Sequence, residues 1–137
     1  MPEMQIENSV VFFPCVDIGE TDRFYTETVG LKLSQIQAGG ACRIYDTGYG
    51  YIGFCQYDDK RPIPSGPTGM CISLNCPNET AVDLCYAVLV KKGVPVLSPP
   101  QRHAKFPVYG CFFSDPNGYK VEFQRILEGD ELTGGRK

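Results

Sequence analysis

The sequence has no tryptophan, a single histidine and no Cys-x-x-Cys pair. Its seven cysteines (Cys15, Cys42, Cys55, Cys71, Cys76, Cys85, Cys111) are scattered. That spacing argues against a zinc ribbon or a redox dithiol motif and predicts buried free thiols in a reducing cytoplasm. No apolar run approaches the roughly 18 to 20 residues of a membrane helix. The acidic start, Met1 to Asn8, lacks the basic region of a signal peptide. A net charge of −3 gives no electrostatic ground for binding nucleic acid. There is no glycine-rich phosphate loop and no nucleophile elbow.

What the chain does have is an ordinary globular balance, 42% hydrophobic and 21% charged residues over 137 positions. Ser9 to Val16 is a β-rich apolar run. Asp17, with Glu20 three positions on, reads as a capping box opening a helix that stops at Gly30. Strands are predicted over Leu31–Ala38, Ala41–Thr47 and Tyr49–Asp58. Residues 59–67, rich in proline and charge, form a connector. The pattern then restarts. Thr68–Cys76 is a strand, and a helix opens at Pro77 or Asn78 and runs to Val90. A short strand, Val94–Leu97, ends before Pro99-Pro100. Phe106–Ser114 and Tyr119–Ile126 are strands about the turn Asp115-Pro-Asn-Gly118, and a polar tail follows from Leu127.

The two stretches repeat one another. Glu20-Thr21 matches Glu79-Thr80, Gly30-Leu31 matches Gly93-Val94, and Gly50-Tyr51 through Gln56 matches Gly118-Tyr119 through Gln124. Each module, about 8–58 and 68–126, therefore reads β-α-β-β-β. One such module buries only one face of its sheet, so two belong in one domain spanning residues 1–137.

Two segments carry a family resemblance: Val16-Asp17-Ile18 leading to Phe24-Tyr25 and Gly30-Leu31, and Asp115-Pro-Asn-Gly-Tyr-Lys-Val-Glu122-Phe123. Together they resemble the glyoxalase, bleomycin-resistance and extradiol-dioxygenase superfamily, the vicinal oxygen chelate proteins. The resemblance implies an α+β fold of two tandem βαβββ modules whose mixed sheets form a cup with the helices packed outside. It also implies a homodimer, a small-molecule ligand, and in many members one divalent metal held by the first and last strands of each module.

By the resemblance the four ligand positions map to Val10, Phe54, Gly69 and Glu122. Only Glu122 is a metal ligand by type, so no metal cofactor is expected. Glu122 has two readings. Its alternation with Tyr119, Val121 and Phe123 allows a plain solvent-facing strand face. The family mapping instead turns it into the cup, as a hydrogen-bond acceptor or general base. Val10, Phe12, Phe54, Gly69, Cys71 and Glu122 are the expected cavity residues, suited to an apolar or aromatic molecule, or else simply filling core volume. Tyr49, Tyr51, Tyr57 and Tyr109 offer phenolic groups at the rim. His103 lies in a loop away from every mapped position.

Three functions fit: a metal-independent small-molecule binder, a metal-dependent glyoxalase-like lyase, isomerase or dioxygenase, and an accessory domain for protein partners. The missing ligands favour the first. Neither a membrane nor a nucleic-acid role is expected.

Overall fold

The computed structural model describes residues 3–66 and 69–127. Pro67 of the connector, Thr68 at the start of the expected strand Thr68–Cys76, and the tail from 128 on lie outside the described residues. The chain divides into two compact units, residues 1–63 and 64–137, with the boundary inside the proline-rich connector.

Unit one contains β1 (Val10–Pro14), α1 (Ile18–Arg23), β2 (Lys32–Gln37), β3 (Cys42–Asp46) and β4 (Tyr51–Cys55). Its sheet order is β1-β4-β3-β2, with β1 parallel to β4 and the other pairs antiparallel. Asp17 caps α1 by accepting from the Glu20 amide at 3.0 Å. The helix does not continue to Val29 as an α-helix. It widens into a π-helical turn, Phe24–Thr28, which buries both Phe24 and Tyr25. Gly30 then exits at φ +93°, a conformation that other residues rarely adopt. Tyr25 stacks on Phe54 at 4.6 Å, and Phe13 stacks on Phe54 at 5.5 Å, so the core of this unit is aromatic.

Unit two contains β5 (Cys71–Asn75), α2 (Glu79–Lys91), β6 (Val96–Arg102), β7 (Val108–Ser114) and β8 (Lys120–Ile126). The order β5-β8-β7-β6 repeats that of unit one, with β5 parallel to β8. Asn78 caps α2 through the Ala81 amide at 2.8 Å. Val82 and Leu89 of α2 are buried with Cys111, Phe113, Val121 and Phe123 of the sheet. β6 runs straight through Pro99-Pro100 rather than ending before it. It is the edge strand, where a missing N–H costs no ladder bond, and its register slips on both sides of Ser98.

The Asp115-Pro-Asn-Gly turn is structural. The buried Asp115 carboxylate accepts from the amides of Asn117 and Tyr119, each at 2.8 Å, and the Gly118 amide returns to the Asp115 carbonyl. The cysteines correct the sequence expectation. Cys42 and Cys55 are directly opposed on β3 and β4 and joined as a disulfide, while the other five stand outside any disulfide and Cys71 is exposed. Among the described residues, no helix is long and apolar enough to cross a membrane, which leaves β-barrels unaddressed.

Candidate functional site

Strand alternation gives each sheet a helix face and an open face. In unit two, register puts Cys71 and Ser73 of β5 beside Lys120 and Glu122 of β8, with Gly110 and Phe112 of β7 next to them. This open face lines a cavity of about 530 Å³, walled by Ser73, Phe106, Phe112, Lys120 and Glu122 among others. A neighbouring hollow of about 260 Å³ shares Phe112 and Glu122 with it.

Glu122 is only 8% exposed and accepts a hydrogen bond from the Ser73 hydroxyl at 2.6 Å. No cation among the described residues pairs with it. A carboxylate held this way keeps acceptor capacity in hand, because an ionised carboxylate has about four lone-pair sites. Gly110 leaves room for it: a Cβ there would stand 3.3 Å from Glu122 Oε2. Lys120 projects over the Phe112 ring, with Nζ 5.3 Å from the centroid. The wall therefore carries an anion, a cation and an aromatic face.

His103 was expected to lie away from the mapped positions, yet it lines both hollows with Glu122. Its Nδ1 accepts from the amides of Lys105 and Phe106, at 3.0 and 3.2 Å. A neutral ring bonded this way carries its proton on Nε2. The Phe106 ring packs beside it at 4.8 Å.

Unit one presents different chemistry on its open face. Val10 and Phe12 are partly exposed there, and a hollow of about 330 Å³ is lined by Asn8, Val10, Ser34, Gln35, Ile44 and Tyr51. Phe12 pairs with Gly53, and its ring occupies the space a side chain at 53 would need.

Two expected cavity residues lie elsewhere. Phe54 is fully buried on the helix face, because the repeat is displaced by one residue from the sequence match. The amides fix the register: Cys15 N–H bonds the Cys55 carbonyl, and Cys76 N–H bonds the Gln124 carbonyl. Gly53, not Phe54, is thus the counterpart of Glu122, and Phe12 is the counterpart of Ser73. A one-residue slip exchanges the faces of a strand. Gly69 precedes β5 and packs under the connector, where a Cβ would meet the Pro64 carbonyl oxygen at 2.5 Å. Val10 and Cys71 are true counterparts, each first in its strand.

Ser73, Phe106, Phe112 and Lys120 were not singled out from the sequence. Ser73 and Lys120 were recoverable from the two-residue alternation with Cys71 and Glu122, but Phe112 and Phe106 become neighbours only through the β7–β8 pairing. Among the tyrosines, Tyr109 donates to Asp83 of α2 at 2.5 Å and Tyr57 lies under the Arg61 guanidinium, while Tyr51 borders the unit-one hollow.

With Val10 kept as the mapped first-strand position, register makes Cys71 its counterpart and Gly53 that of Glu122, so the four positions carry Val10, Gly53, Cys71 and Glu122. One carboxylate and one thiol do not make the imidazole-carboxylate set that a divalent metal takes. Among the described residues, no three His, Cys, Asp or Glu side chains gather into a metal-binding group.

Comparison with known proteins follows the fold. A comparison with the curated proteins finds no match. A solved glyoxalase/bleomycin resistance protein/dioxygenase family enzyme from Burkholderia phytofirmans PsJN is similar at TM-score 0.73 and 19% identity, over 87% of this chain and 98% of that one. A glyoxalase/bleomycin resistance protein/dioxygenase from Nocardioides gives 0.69 and 18%, over 94% and 88%. A lactoylglutathione lyase from Agrobacterium tumefaciens gives 0.66 and 16%, over 91% and 96%. At these identities the likeness speaks for the fold alone. The model of the Glyoxalase/Bleomycin resistance protein/Dioxygenase superfamily matches residues 9–123, and the chain belongs to that superfamily.

Proposed function

We propose that the chain is a metal-independent small-molecule binder of its superfamily. Its ligand has an apolar or aromatic body and carries an amine or hydroxyl, and it sits on the open face of unit two. The observation that carries this reading is Glu122: a carboxylate 8% exposed, held by one serine hydroxyl, in a cavity walled by Phe106, Phe112 and Val108. Taking a carboxylate out of water is costly unless something donates to it. A ligand N–H or O–H completes its shell, while Phe112 supplies an aromatic face. A hydrogen bond from a cationic donor to such a group contributes about 1.5–3 kcal/mol, or on the order of tenfold to a hundredfold in affinity.

The supporting experiment is a thermal-shift and calorimetric comparison of naphthylmethylamine with naphthylmethanol and naphthoate, alongside metal analysis of protein purified without chelators. The amine and the alcohol are expected to bind and the carboxylate to be rejected. Glu122→Gln should remove the preference for the amine, and Phe112→Ala should weaken both ligands. Near-stoichiometric Ni²⁺, Zn²⁺, Mn²⁺ or Fe²⁺ that is lost on Glu122→Ala would overturn the reading in favour of a metal-dependent enzyme.

A further inference from the structure

On the helix face of unit two, the face opposite Glu122, two thiols outside the disulfide meet. Cys76 follows β5 directly and is pinned by its amide, which bonds the Gln124 carbonyl at 2.6 Å. Cys85 lies in α2, and the two sulfurs are 3.9 Å apart. Cys76 is buried and Cys85 is partly exposed, so one sulfur is reachable from solvent and the other waits beneath it. We propose that Cys76 and Cys85 form a peroxide-responsive dithiol, with Cys85 the attacking thiol and Cys76 the resolving one.

The chemistry balances with a peroxide as oxidant. The Cys85 thiolate attacks one peroxide oxygen, the O–O bond breaks, and the departing oxygen takes up a proton and leaves as water. Cys85 is now a sulfenic acid. The Cys76 sulfur, losing its proton, attacks the Cys85 sulfur. An S–S bond forms, the S–O bond breaks, and the second oxygen leaves as water. Closing from 3.9 Å to a bond of about 2 Å needs a side-chain adjustment of about 2 Å.

Selectivity follows from the surroundings. The hydrogen bond shared by the two sulfurs pulls the Cys85 thiol below its ordinary range, while the same bond, with burial, pushes Cys76 up. Cys111 is buried and raised to about 12, and burial raises Cys71 despite its exposure. Of Cys71, Cys76, Cys85 and Cys111, Cys85 alone is shifted toward the thiolate. The absence of a Cys-x-x-Cys spacing hid the pair, because nine positions separate the two residues and the fold brings them together.

The test is peptide mapping of the full chain after brief hydrogen peroxide and a thiol-blocking quench. Leu74, Leu84 and Tyr86 lie between Cys71, Cys76, Cys85 and Cys111, so chymotryptic cleavage places the four on different fragments, and those of Cys76 and Cys85 stay joined only through their own bridge. The expected result is a joined Cys76–Cys85 pair that dithiothreitol separates. In Cys76→Ser, Cys85 should instead advance to sulfinic acid, and in Cys85→Ser, Cys76 should remain a blockable thiol. A bridge from Cys85 to Cys111 or Cys71, or Cys71 oxidising before Cys85, would overturn the proposal. The mapping uses the wild-type chain, so a variant that misfolds does not decide it.

Discussion

The Phe12 ring lies across Gly53, its partner on β4, so closely that a Cβ at position 53 would stand 2.6 Å from the ring. The same two places in unit two hold Ser73 and Glu122, joined by a hydrogen bond. One scaffold thus carries an aromatic lid over bare backbone in one copy and a polar acceptor in the other. Gly53→Ala is expected to cost about 1 kcal/mol, because the ring must leave its place. In a Phe12→Ala background the sign should reverse, since alanine is better than glycine inside a strand by about 0.5–1 kcal/mol. A double-mutant cycle by urea denaturation measures both legs. A cost that persists without Phe12 would mean that the glycine serves the backbone instead.

Asp115 closes the turn that carries half of the family signature, and its role is to satisfy backbone amides. Asp115→Ala strands the Asn117 and Tyr119 amides that its carboxylate accepts from. The expected loss is on the order of 3 kcal/mol, with an unchanged dependence on denaturant. Asp115→Asn, which keeps one carbonyl acceptor, should lose less. Equal losses for the two would show that charge, rather than acceptor geometry, holds the turn.

The capping and turn residues of both recognisable motifs are therefore structural, and this explains what could be read from the chain. Asp17, Gly30, Asp115 and Gly118 cap helices and turn corners, jobs fixed by local chemistry, so the βαβββ repeat was legible from them. The face of each strand was not. Matching Gly50-Tyr51 to Gly118-Tyr119 is reasonable by residue type but wrong by one place, and that slip put Phe54 in the cavity and hid Gly53. Only the pairing of β1 with β4 and of β5 with β8 sets the register, and a parallel pair leaves no turn residues between its strands to announce it. The approach of His103 to Glu122 depends on β6 crossing two prolines, which an edge position permits and a local rule forbids. The meetings of Cys42 with Cys55 and of Cys76 with Cys85 are likewise products of topology rather than spacing.

Tyr45 predicts an alkaline limit for unit one. It is fully buried, and its hydroxyl donates to Asp22 at 2.7 Å; burial first, then that bond and the Asp22 charge, push the phenol well above its ordinary range. Raised in the fold, the group binds its proton more tightly there than in the unfolded chain. Its stabilising share is whole below the unfolded value of about 10 and drains away as pH rises beyond it. Tyr45→Phe should cost about 1 kcal/mol at neutral pH from the lost hydrogen bond. The gap to wild type should narrow above about pH 10, because phenylalanine has no proton to lose. Chemical denaturation at pH 7, 9, 10 and 11 tests this; a constant gap would show Tyr45 ionising as readily in the native state as in the unfolded chain, and a widening one would show it ionising more readily there.

The pairing of Cys76 with Cys85 also makes a prediction that needs no oxidant. The hydrogen bond shared with Cys76 lowers the Cys85 thiol against the opposing push of burial. Removing the donor in Cys76→Ala leaves only that push, so the midpoint for alkylating Cys85 should rise to about 8.5 or beyond. The absolute rate at neutral pH is the poorer readout. The thiolate fraction falls, but the more basic thiolate is intrinsically the better nucleophile and recovers part of the loss. Iodoacetamide labelling followed from pH 5.5 to 9.5, with Cys85 read by mass spectrometry, gives the midpoint directly. Cys76→Ser, keeping a hydroxyl donor, should fall between the two. Identical midpoints in wild type and Cys76→Ala would mean that the two sulfurs are neighbours without a shared proton, and that Cys85 has no special claim to react first.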